Sequence, residues 1–240
     1  MKKTGFKKHS LWVIGFCLGM ASQVWAQDSG CLIEPSADLK LGVPADGVLD
    51  RVMVERGEVV RQGQLLGRLN IDLETAQART LATKLAYGER KLDRNSELKD
   101  QNLIAPQDLD EIATNQKVAE LEFAESQERI KMRNIHSPVD GVVVDVYNQV
   151  GDLIKQDKIF RVARLDPLHV EIILPASRFG QIKPGQSMRV LTELGARDLK
   201  GEVGAVDKVI DAASSTFRVR LIVPNPDNKV PSGQRCRIRF

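Results

Sequence analysis

The side chains best suited to chemistry in this 240-residue chain are its three histidines, three cysteines and 32 carboxylates. His9, His136 and His169 stand far apart, and none has a metal-ligand or nucleophile spacing beside it. Thirteen of the aspartates and glutamates fall in a segment predicted to be helical, where solvated helix faces account for them. The sequence therefore predicts no catalytic residue, no metal site and no cofactor, and the chain is expected not to be an enzyme.

The N-terminus predicts a secretory signal peptide over residues 1–26. It begins with four lysines in the first ten residues, continues with an apolar run at 11–21, and ends with small residues before Gln27. Eleven apolar residues are too few to span a bilayer. An uncleaved membrane anchor is therefore the weaker alternative, and the mature protein is expected to lie in the periplasm.

Charge and cysteine content limit the partners and the compartment. The formal net charge of +3 falls to about −1 once the four signal lysines are removed, so no nucleic-acid partner is expected. After cleavage Cys31 and Cys236 remain, in a compartment where disulfides persist. Asp28 stands where a lipoprotein signal needs an aliphatic residue, which argues against lipidation of Cys31.

Two stretches, 43–69 and 137–163, are divergent copies of one motif at a constant offset of 94 residues. Each copy opens with a Pro-x-Asp-Gly turn, in which Gly47 and Gly141 are predicted to take unusual backbone angles. Short runs of alternating β-branched residues follow, separated by a second glycine. Strands this short cannot bury a face alone, so the two copies are predicted to pack against each other as one small sandwich.

Between the copies, residues 71–135 predict an antiparallel coiled-coil hairpin. Glycine and proline nearly disappear there, and strong helix formers replace them. A break at 102–106 separates two helices of about 30 residues, which would project roughly 45 Å. Gly88 and Gln116 fall in the apolar seam and make it imperfect. The heptad pattern places the following side chains in that seam: Ile71, Ala78, Leu81, Leu85 and Leu92, then Leu109, Ile112, Ala119, Phe123 and Ile130.

The last part of the chain, 166–240, predicts a small antiparallel β-barrel. Five strand-like runs alternate with turns rich in glycine, proline and aspartate. Residues 27–39 form a short N-terminal segment that is a candidate barrel strand. The five runs are 168–174, 187–194, 201–210, 217–223 and 234–240.

These features resemble a known family. The copies at 40–70 and 136–165 resemble the halves of a biotinyl/lipoyl domain, and the rest resembles the periplasmic adaptors, the HlyD-like membrane fusion proteins of tripartite efflux and secretion systems. The turn IKPGQ, the later G-E-V, Asn225-Pro226 and the sequence PSGQ before the last strand carry this resemblance. It implies a mainly β fold with an inserted helical hairpin, a lipoyl-like barrel-sandwich hybrid and a following β-barrel. The chain resembles a short form that lacks a clear membrane-proximal domain.

The resemblance also implies a function and partners. Such an adaptor links an inner-membrane transporter, of RND or ABC type, to an outer-membrane channel, and it works as a homo-oligomeric ring held at the inner membrane through these partners. The family contacts the channel through the motif R-x3-L-x6-S at the hairpin tip. Arg94, Leu98 and Ala105 match this motif except that alanine replaces serine. The tip, including the turn 101–106, is therefore expected to bind the channel.

A disulfide between Cys31 and Cys236 is implied by the same resemblance, because the first mature strand of the family can return to the barrel. It would then place Cys31 beside the closing strand QRCRIRF. Two separate buried thiols are the alternative.

Two other functions compete with the adaptor. A biotinyl or lipoyl carrier needs an exposed lysine between the two halves, whereas this chain has Asn70 followed by a 65-residue helical insertion. Export also disfavours a carrier, because the modifying enzymes are cytoplasmic. A self-assembling structural coiled-coil protein is the third possibility.

Overall fold

The computed structural model describes residues 29–100, 103–195 and 197–239. The predicted signal peptide at 1–26 lies outside these residues. No helix in the described part of the chain is both long and apolar enough to cross a bilayer.

The two copies of the repeated motif form one sandwich. The first copy supplies β2 (Gly47–Val52), β3 (Val59–Val60) and β4 (Leu65–Leu69). β5 (Asn134–His136) leads into the second copy, which supplies β6 (Gly141–Val146) and β7 (Leu153–Ile154). β3 pairs with β6 and β2 with β7 across the two copies, and β4 pairs with β5 at the entry to the second. The equivalent residues Val60 and Ile154 are both fully buried in one shared core. The copies thus pack against each other, as the repeat predicts.

The prediction for Gly47 and Gly141 is wrong, because neither residue has a positive φ. Each is the first residue of its strand, and each position needs glycine because other atoms occupy the space of a Cβ. A Cβ at Gly141 would collide with the carbonyl oxygen of Ala163, and one at Gly47 would lie 2.7 Å from Nη1 of Arg133. Left-handed backbone occurs instead at the second glycine of each copy, Gly57 (φ 89°) and Gly151 (φ 97°).

Two long strands, β1 (Ser29–Gly42) and β8 (Lys158–Pro175), join the sandwich to the barrel. They pair antiparallel from Cys31 opposite Ile172 to Gly42 opposite Lys158. The sequence predicted only a brief strand near Cys31 and a boundary near residue 165. A bulge explains the difference: residues 165–167 of β8 face Ser36 alone. This bulge accommodates Pro35 and Pro167, which in the sequence indicate strand breaks.

The barrel closes with six strands. β9 (Ser187–Thr192), β10 (Asp198–Val206), β11 (Thr216–Val223) and β12 (Arg235–Arg239) complete it with β1 and β8. The order is β1-β12-β9-β10-β11-β8, and the β1–β8 pairing closes the ring. Its core is separate from that of the sandwich. Five of the strands were expected from the sequence, and β1 is the sixth.

Cys31 and Cys236 lie directly opposite each other on β1 and β12. Their sulfur atoms are bonded at 2.08 Å, and their Cα atoms are 4.9 Å apart. This disulfide links the first barrel strand to the last across 205 residues.

The helical hairpin consists of α1 (Asp72–Asp100) and α2 (Pro106–Lys131). All ten predicted seam residues are buried or half-buried. A Cβ at Gly88 would lie 3.3 Å from Cα of Gln116, so the helices approach closely where the heptad pattern is broken. With 29 residues, α1 extends about 44 Å.

Gly141→Ala tests the close approach inside the sandwich. We expect it to lower the free energy of unfolding by about 1–3 kcal/mol, because the new methyl group must displace the backbone of β8. Urea denaturation followed by circular dichroism would measure this change. Gly30→Ala is the matched control, since its Cβ would meet nothing within 4 Å. Equal stability of the two variants would contradict the role assigned to Gly141.

Candidate partner-docking site

The hairpin tip lies where α1 ends at Asp100 and α2 begins at Pro106. Two leucines are solvent-exposed there, Leu98 by 38% and Leu103 by 66%. The backbone N–H of Leu103 donates a 2.8 Å hydrogen bond to the carbonyl of Leu98, which holds the two residues together. The tip therefore presents an apolar surface of fixed geometry.

Arg94 lies one helical turn before Leu98, on the same face of α1. Its Nε donates to the carbonyl of Arg90 at 3.2 Å. No ion pair joins Arg94 to another residue in the described part of the chain. The terminal N–H groups of its guanidinium are thus available to a carboxylate or carbonyl of another molecule.

Ala105 is the residue that caps the N-terminus of α2. It has extended backbone angles, φ −70° and ψ 140°, and makes no side-chain cap hydrogen bond, while Pro106 occupies the first helical turn. The serine of the family motif at this position would place its hydroxyl oxygen near the N–H of Asp108. Sequence analysis treated that serine only as a partner contact and missed this capping role.

The base of the hairpin is held by Arg133, which follows α2. Its Nη2 lies 2.6 Å from Oε1 of Glu74 on α1, and both side chains are largely buried. Its Nη1 donates to the carbonyls of Asp46 and Asn70 at 3.3 and 3.2 Å. One guanidinium therefore connects both helices to the sandwich and fixes the direction of the tip. Gly47 leaves the space that this guanidinium occupies.

Asn70 occupies the place where a carrier domain would present its modified lysine. Its backbone N–H donates to the carbonyl of Val48 at 2.8 Å, and its side-chain oxygen accepts from the N–H of Asp72 at 3.1 Å. These bonds fix Asn70 two residues before the start of α1. The geometry favours a hairpin base at this position over the display of a cofactor.

His136 and His169 are the two histidines that the structure describes. Nδ1 of His136 lies 2.9 Å from the carbonyl oxygen of Gly63. Burial, together with the nearby Arg220, lowers the pKa of His169 below its usual value. Within the described residues, no group of three or more His, Cys, Asp or Glu side chains is arranged to hold a metal ion.

Comparison with known proteins identifies the fold of the chain and the family of its barrel domain. Residues 167–240 match the CusB-like β-barrel domain. The solved structure of a MacA-MexA chimera containing the Pseudomonas aeruginosa MexA α-hairpin domain has a TM-score of 0.77 at 17% identity, over 88% of this chain and 79% of the chimera. The membrane fusion protein Spr0693 of Streptococcus pneumoniae has a TM-score of 0.72 at 14% identity, over 88% of this chain and 97% of Spr0693. Residues 167–240 thus belong to the CusB-like β-barrel domain family, and the chain has the fold of the membrane fusion protein Spr0693.

A curated relative of this chain is the cobalt-zinc-cadmium resistance protein CzcB of Cupriavidus metallidurans, which is 21% identical over 201 residues. The match covers 75% of this chain and 38% of CzcB. The chain spans 56% and 38% of the lengths of the two curated relatives that it matches. The predicted fold class, a lipoyl-like sandwich with an inserted hairpin followed by a β-barrel, is confirmed by these structural matches. The predicted role of Arg94, Leu98 and Ala105 in docking stays a prediction.

Ala105→Ser tests the open cap of α2. Among the described residues, the N–H of Asp108 now donates only to the carbonyl of Ala105, at 3.1 Å. We expect the serine to stabilise α2 by about 1 kcal/mol, because its hydroxyl oxygen gives this N–H a side-chain acceptor. Hydrogen exchange at that amide should slow accordingly. Ala124→Ser, in the exposed middle of α2, should instead destabilise the helix by about 0.5 kcal/mol. Unchanged exchange in the Ala105 variant would show that this helix end needs no cap.

Arg133→Met tests the clamp at the hairpin base. It leaves the Glu74 carboxylate without its partner, and we expect a loss of about 2–3 kcal/mol in the free energy of unfolding. Spin labels on the tip and the sandwich should also report a broader distance distribution. Arg129→Met, which removes an exposed ion pair with Glu125, should change neither measurement appreciably. A narrow distribution in the Arg133 variant would show that other contacts fix the hairpin.

Proposed function

We propose that this adaptor works in the periplasm, where it links an inner-membrane transporter of RND or ABC type to an outer-membrane channel for efflux or secretion. The observation that carries the proposal is the exposed tip at the end of a hairpin whose base is fixed. Leu98 and Leu103 are exposed there, and Arg94 has no acidic partner among the described residues. The disulfide between Cys31 and Cys236 fits an oxidising compartment such as the periplasm.

The length of the hairpin supports contact at its tip. The seam side chains of α1 and α2 pack on each other, so additional turns do not bury more surface of the β domains. A reach of about 44 Å becomes useful when the far end touches another molecule. The export class of function also agrees with the resistance role that the name of the relative CzcB records.

Several copies of the adaptor are expected to act together as a homo-oligomeric ring. Apolar side chains away from the seam are exposed along both helices, where another hairpin could pack: Tyr87, Val118 and Leu121. A ring would repeat each tip contact around the channel, so individually weak contacts would add through multivalency. The adaptor contributes geometry and contacts, and the proposal assigns it no catalysis.

Substitutions at the tip test the proposal. We expect Leu98→Ser and Arg94→Asp each to reduce, by about tenfold or more, the amount of outer-membrane channel recovered with the adaptor after chemical cross-linking in cells. The first substitution removes apolar burial, and the second places a negative charge where the channel would receive a positive one.

Matched controls lie on the same helix, near its base. Leu73 is 75% exposed, and Arg79 is exposed and has no ion pair with another described residue. Leu73→Ser and Arg79→Asp should leave recovery of the channel unchanged, and all four variants must be exported and folded. Full recovery with both tip variants would refute tip docking. The hairpin would then be better explained as a self-assembly element.

A further inference from the structure

The outer face of the barrel carries a group of basic side chains that the proposed function does not use. On β12, Cys236 and Ile238 point into the core, so the alternating arginines of that strand face solvent. Basic residues on β9, which pairs with β12, and on β10, the next strand, extend this row. We call the group the cationic band, and its members are Arg235, Arg237 and Arg239 of β12, Arg189 of β9 and Lys200 of β10.

Three members of the band stand side by side. Arg239 is directly opposite Arg189 in the register of β12 and β9, and Arg189 is directly opposite Lys200 in that of β9 and β10. Neighbouring strands are about 4.8 Å apart, and like charges directly opposite each other are destabilising. The requirements of folding therefore do not explain this arrangement. A bound anion between the three cations would relieve their repulsion.

Acidic partners are scarce around the band. Among the described residues, its one ion pair is a 3.5 Å contact between Arg189 and Asp198. Glu202 lies at its edge on β10, and Glu193 lies beside Arg235 without an ion pair to it. Elsewhere on the barrel, basic side chains are compensated more closely, as in the 3.0 Å contact of Arg218 with Asp207. Arg189, Lys200 and Arg239 also line a shallow cleft of about 420 Å³. The band is thus an open, positively charged surface.

Arg237 and Arg239 lie toward the end of the barrel that is farthest from the sandwich, and the band runs from there along the side of the barrel to Lys200. Strand β1 runs from this end, where Ser29 is opposite Ile238, to Gly42 in the sandwich. The hairpin extends from the sandwich, so the tip and the band are separated by the whole sandwich.

We propose that the cationic band binds the phosphate headgroups of anionic phospholipids at the surface of the inner membrane. Clusters of four or more basic side chains bind anionic bilayers, and the guanidinium group pairs with phosphate through two parallel hydrogen bonds. The choice of a lipid surface rests on the proposed function, because a tip directed at the outer membrane turns the band toward the inner one. An acidic protein surface is the competing occupant, and the test below separates the two.

The test is co-sedimentation of the chain from Gln27 onward with lipid vesicles. We expect binding to vesicles that contain phosphatidylglycerol, little binding to pure phosphatidylcholine vesicles, and weaker binding as salt is added. The double variant Arg237→Gln with Arg239→Gln should bind the anionic vesicles about thirtyfold more weakly. The control, Arg218→Gln with Lys229→Gln, removes the same charge from two exposed, ion-paired positions on the barrel and should bind within about twofold of the parent protein.

Three outcomes would overturn the proposal. They are no binding of the parent protein to anionic vesicles, equal binding by parent and band variant, or an equal loss in band variant and control, which would reflect net charge alone. A cross-linker at position 237 that captures an acidic inner-membrane protein, with no vesicle binding, would identify the competing occupant. Vesicle binding does not involve the tip, so an absence of vesicle binding would leave the tip experiment unaffected. If the tip variants recovered the channel fully while vesicle binding depended on the band, channel docking alone would be rejected. Circular dichroism must show that both double variants are folded.

Discussion

Strands β1 and β8 are hydrogen-bonded to each other along both the barrel and the sandwich, so this one pair of strands contributes to both hydrophobic cores. Ile33 and Ile172 are buried in the barrel, whereas Val162, farther along the same pair, is buried in the sandwich. Beside the sandwich core, Arg161 makes two contacts with Asp38, at 2.7 and 2.8 Å, and this hydrogen-bonded pair holds the pKa of the Asp38 carboxyl below its usual value. Two paired strands resist bending far better than a single linker would. This ladder is what gives the molecule a defined long axis.

The direction of the hairpin relative to the sandwich is fixed at the base of the hairpin. Arg133 contacts Glu74 on α1 and the backbone carbonyls of Asp46 and Asn70. The helices therefore cannot change direction without breaking partly buried hydrogen bonds. The packing at Gly88 and Gln116 keeps the helices close along their length. An exposed tip and a positively charged barrel end therefore lie on opposite sides of the sandwich. This separation fits the proposed role, in which the protein bridges two membranes.

Local patterns in the sequence predicted much of this structure. The repeat predicted the shared core of residues such as Val60 and Ile154, and the heptads predicted the seam. The continuous strands β1 and β8 were missed because prolines in a sequence indicate breaks in a strand. The bulge that accommodates them can be recognised only once the partner strand is known. The Arg133 clamp was missed because its contact with Asp46 joins residues 87 positions apart. Such pairings depend on tertiary packing, which no short-range pattern encodes.

The central claim is that the hairpin tip meets an outer-membrane channel. A photoreactive amino acid placed at Leu103, which is 66% exposed at the turn, would test it in living cells. After irradiation, mass spectrometry of the cross-linked product identifies the molecule that the tip touches. The account predicts an outer-membrane channel protein as the main product. Cross-links found only to a second copy of the adaptor, or to an inner-membrane protein, would contradict it.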